Sequence, residues 1–139
     1  MKTVSTEILM YAVNSEASLF SAKQNKDKTG YDVTTIYGGK EVVVCSLNEK
    51  NGQLSNVIFD PKRQYTKELI AVDIASLPDG KPRDVMIACF GDDLSLDKEL
   101  ANKLRCSNPT HYDLRKKEIQ NYNIAKTKLA SRVMNTTHR

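Results

Sequence analysis

Arg115, Lys116, Lys117, Lys126, Lys128 and Arg132 recur along the last quarter of the chain at spacings that one long helix gathers together. Guanidinium and ammonium groups at that density attract phosphates without needing a fixed motif, so a nucleic acid is the polyanion they suit. The same residues also make an ordinary solvated helix face that keeps a protein soluble. Charge distribution adds weight to this segment. The chain carries a net charge of +4; residues 1 to 102 hold 12 Lys/Arg against 15 Asp/Glu, whereas residues 103 to 139 hold 9 against 2. The excess positive charge therefore belongs to the C-terminal segment.

A second group, Lys26, Lys28, Tyr37 and Lys40, lies in the N-terminal half. Aromatic rings on a sheet face can stack bases while flanking lysines track a backbone. Tyr31, Tyr37 and Phe59 fall on one face of the hairpins described below, where rings interleaved with valines ordinarily bury. Tyr37 is the exception, because its cross-strand neighbour is Lys40 at a turn. Its ring is expected to reach solvent near the Gln24 to Lys28 loop and to complete a strand-binding rim.

Other chemistry is thinner. Asp92, Asp93 and Asp97, with Asp60 at another strand end, supply hard oxygen ligands of the kind Mg²⁺ takes. Gly91-Asp92-Asp93 is also common loop composition, and Asp93 and Asp97 suit the positive start of a following helix. No metal and no cofactor are expected. Cys45, Cys89 and Cys106 form no CxxC pair, and an odd count closes no complete disulfide set, which fits a reducing, cytoplasmic setting. Cys106 lies beside Arg105 with His111 as the nearby base and His138 in the tail, which makes no persuasive dyad or zinc site. Neither a phosphate-binding glycine loop nor a GxSxG elbow is present.

The elements that must position these residues begin with Tyr31 to Asp60, which reads as three antiparallel strands. Gly38-Gly39 and Asn51-Gly52 are pairs that take positive φ readily, as two-residue hairpin turns require. With those turns, Tyr37 faces Lys40, Thr35 faces Val42, Val33 faces Val44, Val44 faces Phe59 and Ser46 faces Val57. One sheet face then carries Tyr31, Val33, Tyr37, Val42, Val44, Val57 and Phe59 and is expected to be the better covered. The other carries Thr34, Ile36, Val43, Cys45, Leu47 and Ile58.

Residues 5 to 22 read as a strand from about Glu7 to Val13, followed by a short helix capped by Asn14 or Ser15, although Ile8, Leu9, Ala12, Glu16, Leu19 and Phe20 can also be laid along a helix. Pro61 ends the third strand. Tyr65 to Ala75 alternates like a strand, yet Thr66 could cap a helix there. Leu77 to Arg83 is turn chemistry, and Asp84 to Phe90 is a near-continuous apolar run, so a long hairpin over residues 68 to 90 is the preferred reading. Ser95 offers a cap for a helix from Leu96 to about Arg105, and a long helix follows from His111 to about Met134. At 100° per residue, Leu114, Ile119, Tyr122, Ala125, Leu129 and Val133 share one side of it, with Arg115 and Lys126 intruding.

The expected fold is therefore α+β, in one domain over residues 1 to 139: an antiparallel five- or six-stranded sheet or small barrel, then a short helix and a long C-terminal helix. A β-rich framework would fill residues 1 to 91 and a basic helical segment residues 95 to 134. The leading functional expectation is a small non-enzymatic protein that binds nucleic acid through the basic helix and the lysine rim. The alternative is a protein-interaction module, whether inhibitor, assembly factor or homo-oligomer subunit, that packs residues 111 to 134 on a partner or a second copy. A metal-dependent hydrolase using the aspartates comes third. No membrane partner is expected, since the N-terminal apolar run Ile8 to Val13 is too short for a signal-peptide core or a span.

Overall fold

The computed structural model describes residues 4–59 and 64–137, with the side chains of 56 and 131–137 excepted. Asp60, Pro61 and His138 fall outside the described residues, as does the side chain of Arg132. The protein is α+β, a curled antiparallel sheet with helices packed against it. Its elements are β1 (Val4–Ser5), α1 (Thr6–Val13), β2 (Ser21–Gln24), β3 (Gly30–Tyr37), β4 (Lys40–Lys50), β5 (Gln53–Ile58), α2 (Lys67–Ser76), α3 (Lys81–Leu94), α4 (Lys98–Ser107) and α5 (His111–Thr137). Among the described residues five strands form one sheet in the order β1-β5-β4-β3-β2.

Both hairpin turns form where the sequence places them. Gly38 and Gly39 have φ of 61° and 76°, Asn51 and Gly52 of 54° and 75°, the mirror-image turn geometry that matches strand twist. Tyr37 pairs with Lys40, Thr35 with Val42 and Lys50 with Gln53. Further from the turns the register slips by one residue in each hairpin. Val33 faces Cys45 rather than Val44, and Ser46 faces Ile58 rather than Val57, so the expected Val44 to Phe59 pairing does not follow either. The causes are two β-bulges, each of which inserts one unpaired residue and increases the local twist.

The first bulge also changes the core. By putting Cys45 opposite Val33 and Leu47 opposite Tyr31, it turns Cys45 and Leu47 onto the face that strict alternation had denied them. Val33, Val44, Cys45, Leu47 and Leu54 are all buried, and Ile70, Ile74, Met86, Cys89 and Phe90 of α2 and α3 pack in the same cluster. The opposite face is thinly covered only in part: Ile58 is exposed, and Asp32 and Ser46 hydrogen-bond across it at 2.8 Å, whereas Thr34 and Ile36 of β3 are buried.

Three segments depart from expectation. Thr6–Val13 is helix α1 and not a strand, with Leu9, Ala12 and Val13 buried, and it packs on α3. The expected hairpin over 68 to 90 is instead the helix pair α2 and α3. In α2 the Thr66 hydroxyl accepts from the Leu69 amide, the cap that its sequence allowed. In α3 Pro82 occupies the first turn, where its missing amide hydrogen costs nothing, and Arg83, Met86 and Phe90 make a buried stripe at helical spacing. Residues 1 to 91 are thus not a β framework alone, and Cys89 lies in a helix. Finally, Ser95 does not start α4. It takes a left-handed conformation closing α3, and the Asp97 carboxylate caps α4 by accepting from the Leu100 amide at 2.7 Å.

Candidate functional site

At about 1.5 Å per residue the 27 residues of α5 extend roughly 40 Å. Its first three turns are tied to the body. Tyr112 donates to the Ala17 carbonyl at 3.1 Å; burial, and then Asp113 beside it, push the Tyr112 hydroxyl above its ordinary pKa. Lys116 donates to the Glu16 carbonyl.

Arg115 is the centre of the anchor. It is only 6% exposed, and it donates to the Ile36 carbonyl at 2.5 Å, to Thr35 Oγ1 at 2.6 Å and to Glu118. Its Nε lies 3.4 Å from Oδ1 of Asp73, a fully buried carboxylate on α2 that His111 Nε2 approaches at 2.5 Å. The guanidinium also sits 5.6 Å from the centre of the buried Tyr65 ring, which meets Tyr37 edge-on at 5.3 Å. Glu118 completes the arrangement by accepting from the Gly38 amide at 2.9 Å, so α5 grips both α2 and the β3–β4 turn. A charge taken out of water is tolerable only with this density of partners.

Beyond Tyr122 the helix changes character. Residues 123 to 130 are all exposed, Ile124 at 53% and Leu129 at 63%. Leu114, expected on the docked stripe, is 63% exposed as well. The face that docks is His111, Tyr112, Arg115 and Ile119, rotated from the stripe that hydrophobicity alone selects. Between that face and the exposed one, an open groove of about 440 Å³ runs beside the β3–β4 turn, lined by Gly39, Leu114, Glu118, Tyr122 and Ala125 among others.

The residues expected to meet phosphates are dispersed. Arg115 is buried in the anchor and presents no free cation to a polyanion, whereas Lys116 donates to the neutral Glu16 carbonyl and keeps its charge. Lys117, Lys126 and Lys128 are exposed, with Lys126 Nζ 6.0 Å from the Tyr122 ring centre. Lys26 and Lys28 are exposed in the β2–β3 loop, at the Gly30 end of β3, whereas Tyr37 and Lys40 flank the turn at its other end. Eight residues of strand separate the two pairs by about 23 Å, so the expected rim does not assemble. Tyr37 is 38% exposed and its ring forms a T-shaped pair with Tyr65. Asp92 and Asp93 lie in the last turn of α3 and Asp97 caps α4. Among the described residues no three His, Cys, Asp or Glu side chains gather as metal ligands, and no helix is long and apolar enough to cross a membrane.

No family model, characterised protein or solved structure matches this chain. Sequence reasoning missed Asp73, Tyr65, Thr35 and Glu118 as the partners of Arg115. The available signal was Arg115 itself, one of two cations on the apolar helix stripe; the other, Lys126, is exposed, so position on the stripe alone did not single out the buried one.

Proposed function

We propose that this protein is a non-enzymatic interaction module that presents the outer half of α5 to another protein chain. The observation that carries this reading is the contrast along α5: a root locked by buried ionic contacts, then residues 123 to 130 exposed on every side. The outer half propagates from that root without tertiary packing of its own, and exposed Ile124 and Leu129 gain when a second surface covers them. Rigid anchoring also lowers the entropy lost on association, because the helix is already oriented.

A second reading, contact with nucleic acid, is favoured by one feature. After Glu118 the sequence holds Lys126, Lys128, Arg132 and Arg139 and no acidic residue. One experiment separates the two: affinity capture with the full chain and with a Leu129→Asp/Ile124→Asp variant, alongside polynucleotide titration of the same preparations. The protein-contact reading expects a protein, either another copy or a different chain, that is retained by the native helix, lost in the variant and little affected by salt. Polynucleotide binding through Lys117, Lys126 and Lys128 would instead weaken about 40-fold between about 50 and 200 mM salt, the slope for three neutralised phosphates. Identical capture by native and variant chains overturns the protein-contact reading.

A further inference from the structure

We infer that the chain received by this surface is an acidic amphipathic segment of another protein, its apolar side chains on the ridge of α5 and its carboxylates over the lysines beside that ridge. The inference rests on the protein-contact reading above and names the chemistry of the partner. At 100° per residue, Leu114, Ala125, Leu129 and Tyr122 lie within about 80° of one another. Lys117 and Lys128 stand beside this ridge on one flank, within about 20° of each other, and Lys126 stands on the other flank. The exposed face of α5 is thus an apolar strip edged by ammonium groups on both sides.

These cations are uncommitted within the chain. Among the described residues no carboxylate pairs with Lys117, Lys126 or Lys128, whereas Lys23 pairs with Glu41 and Lys103 with Glu99. The sequence from residue 119 onwards contains no Asp or Glu. Glu118 does line the groove, but its two oxygens are turned to the protein itself, one accepting from Arg115 and the other from the Gly38 amide at 2.9 Å. Negative charge over this face is therefore left to the partner. A cationic surface meets repulsion there, and opposed charge of this kind is what separates a right partner from a wrong one.

The groove beside the β3–β4 turn favours a polypeptide over other anions. It encloses about 440 Å³, Gly39, Leu114, Tyr122 and Ala125 give it apolar walls, and Lys117 lines it as well. It has room for a large aliphatic or aromatic side chain, which a phosphodiester backbone does not carry. A nucleic acid would use the lysines and lay its charge against Leu114, Ala125 and Leu129. An amphipathic helix satisfies both features, with anchors repeating along one face and carboxylates at the edges of that face.

The test is fluorescence anisotropy of the full chain with three labelled probes. The first is an acidic helix with Leu at the a and d positions of each heptad and Glu at e and g; the second replaces every Glu by Lys; the third is polyuridylate. The acidic helix is expected to bind at least about 10-fold tighter than the basic one at about 50 mM salt. Lys117→Glu/Lys128→Glu and Leu129→Asp should each weaken it about 10-fold, while Lys50→Glu, at the opposite end of β4 from the gripped turn, should leave it unchanged. All these side chains are exposed, so the variants should unfold at the native midpoint. Raising salt from about 50 to 200 mM should cost less than about 5-fold, small beside the roughly 40-fold expected of a polynucleotide on three lysines. Equal affinity for the acidic and basic helices, or acidic-helix binding that ignores both variants, overturns the inference. Preference for polyuridylate over the acidic helix also overturns it and assigns the lysines to nucleic acid. If neither helix binds, the inference falls and the capture experiment above decides the wider reading: a protein lost in Leu129→Asp/Ile124→Asp leaves the protein-contact reading standing, and identical capture ends both.

Discussion

Arg115 brings a charge into the interior, where Asp73, Glu118, Thr35 and the Ile36 carbonyl answer it. Removing it strands Asp73, fully buried, with His111 as its remaining close partner. Breaking a buried pair on one side costs about 3 to 5 kcal/mol, because the abandoned charge stays desolvated. Arg115→Met is therefore expected to lower unfolding free energy by about that amount in urea titration, whereas Lys128→Glu should change it by less than about 0.5 kcal/mol. Equal effects would show that the two cations occupy equivalent surroundings. This contrast was half legible in the sequence. Helical projection put Arg115 on the apolar stripe and Lys128 off it, but it put exposed Lys126 on the stripe as well, so it separated Arg115 from Lys128 without singling it out. Asp73 could not be named, because its own segment read as a strand and its position relative to α5 depends on tertiary packing.

The elements show where local signals decide structure and where they do not. The two hairpin turns followed from Gly38-Gly39 and Asn51-Gly52, since few residues accept positive φ at both positions. The bulges that then shift Cys45 and Leu47 to the core face leave no comparable trace, because valine-rich strands satisfy either register. A short apolar run such as Asp84 to Phe90 fits a buried helix as well as a strand, and Pro82, read as part of a turn, lies in the first turn of α3. The start of α4 makes a measurable case. The Asp97 carboxylate accepts the Leu100 amide, so Asp97→Ala should cost about 1 kcal/mol in thermal or urea unfolding. Ser95, at φ 53°, should accept glycine without loss of stability. A large penalty for Ser95→Gly together with none for Asp97→Ala would return the cap to Ser95.

For the whole molecule, the cysteines report how far one core joins sheet and helices. Cys45 on β4 and Cys89 on α3 are buried in the same cluster, while Cys106 at the end of α4 is exposed. With a thiol-specific reagent the native chain should label once, rapidly, at Cys106. Cys45 and Cys89 should follow together at a rate set by global opening, because neither can be reached without parting the strands from α2 and α3. Alkali provides a second handle. Burial pushes the Cys89 thiol up to about 12, so the folded state holds it neutral while an unfolded chain ionises it near pH 9. The resulting contribution to stability is complete below about pH 9 and is lost as pH rises towards 12. Unfolding midpoints measured across that interval should fall, and Cys89→Ala should flatten part of the decline. Labelling of Cys89 well ahead of Cys45 would instead mean that α3 opens while the sheet stays closed, and the shared core would then be two units that part independently.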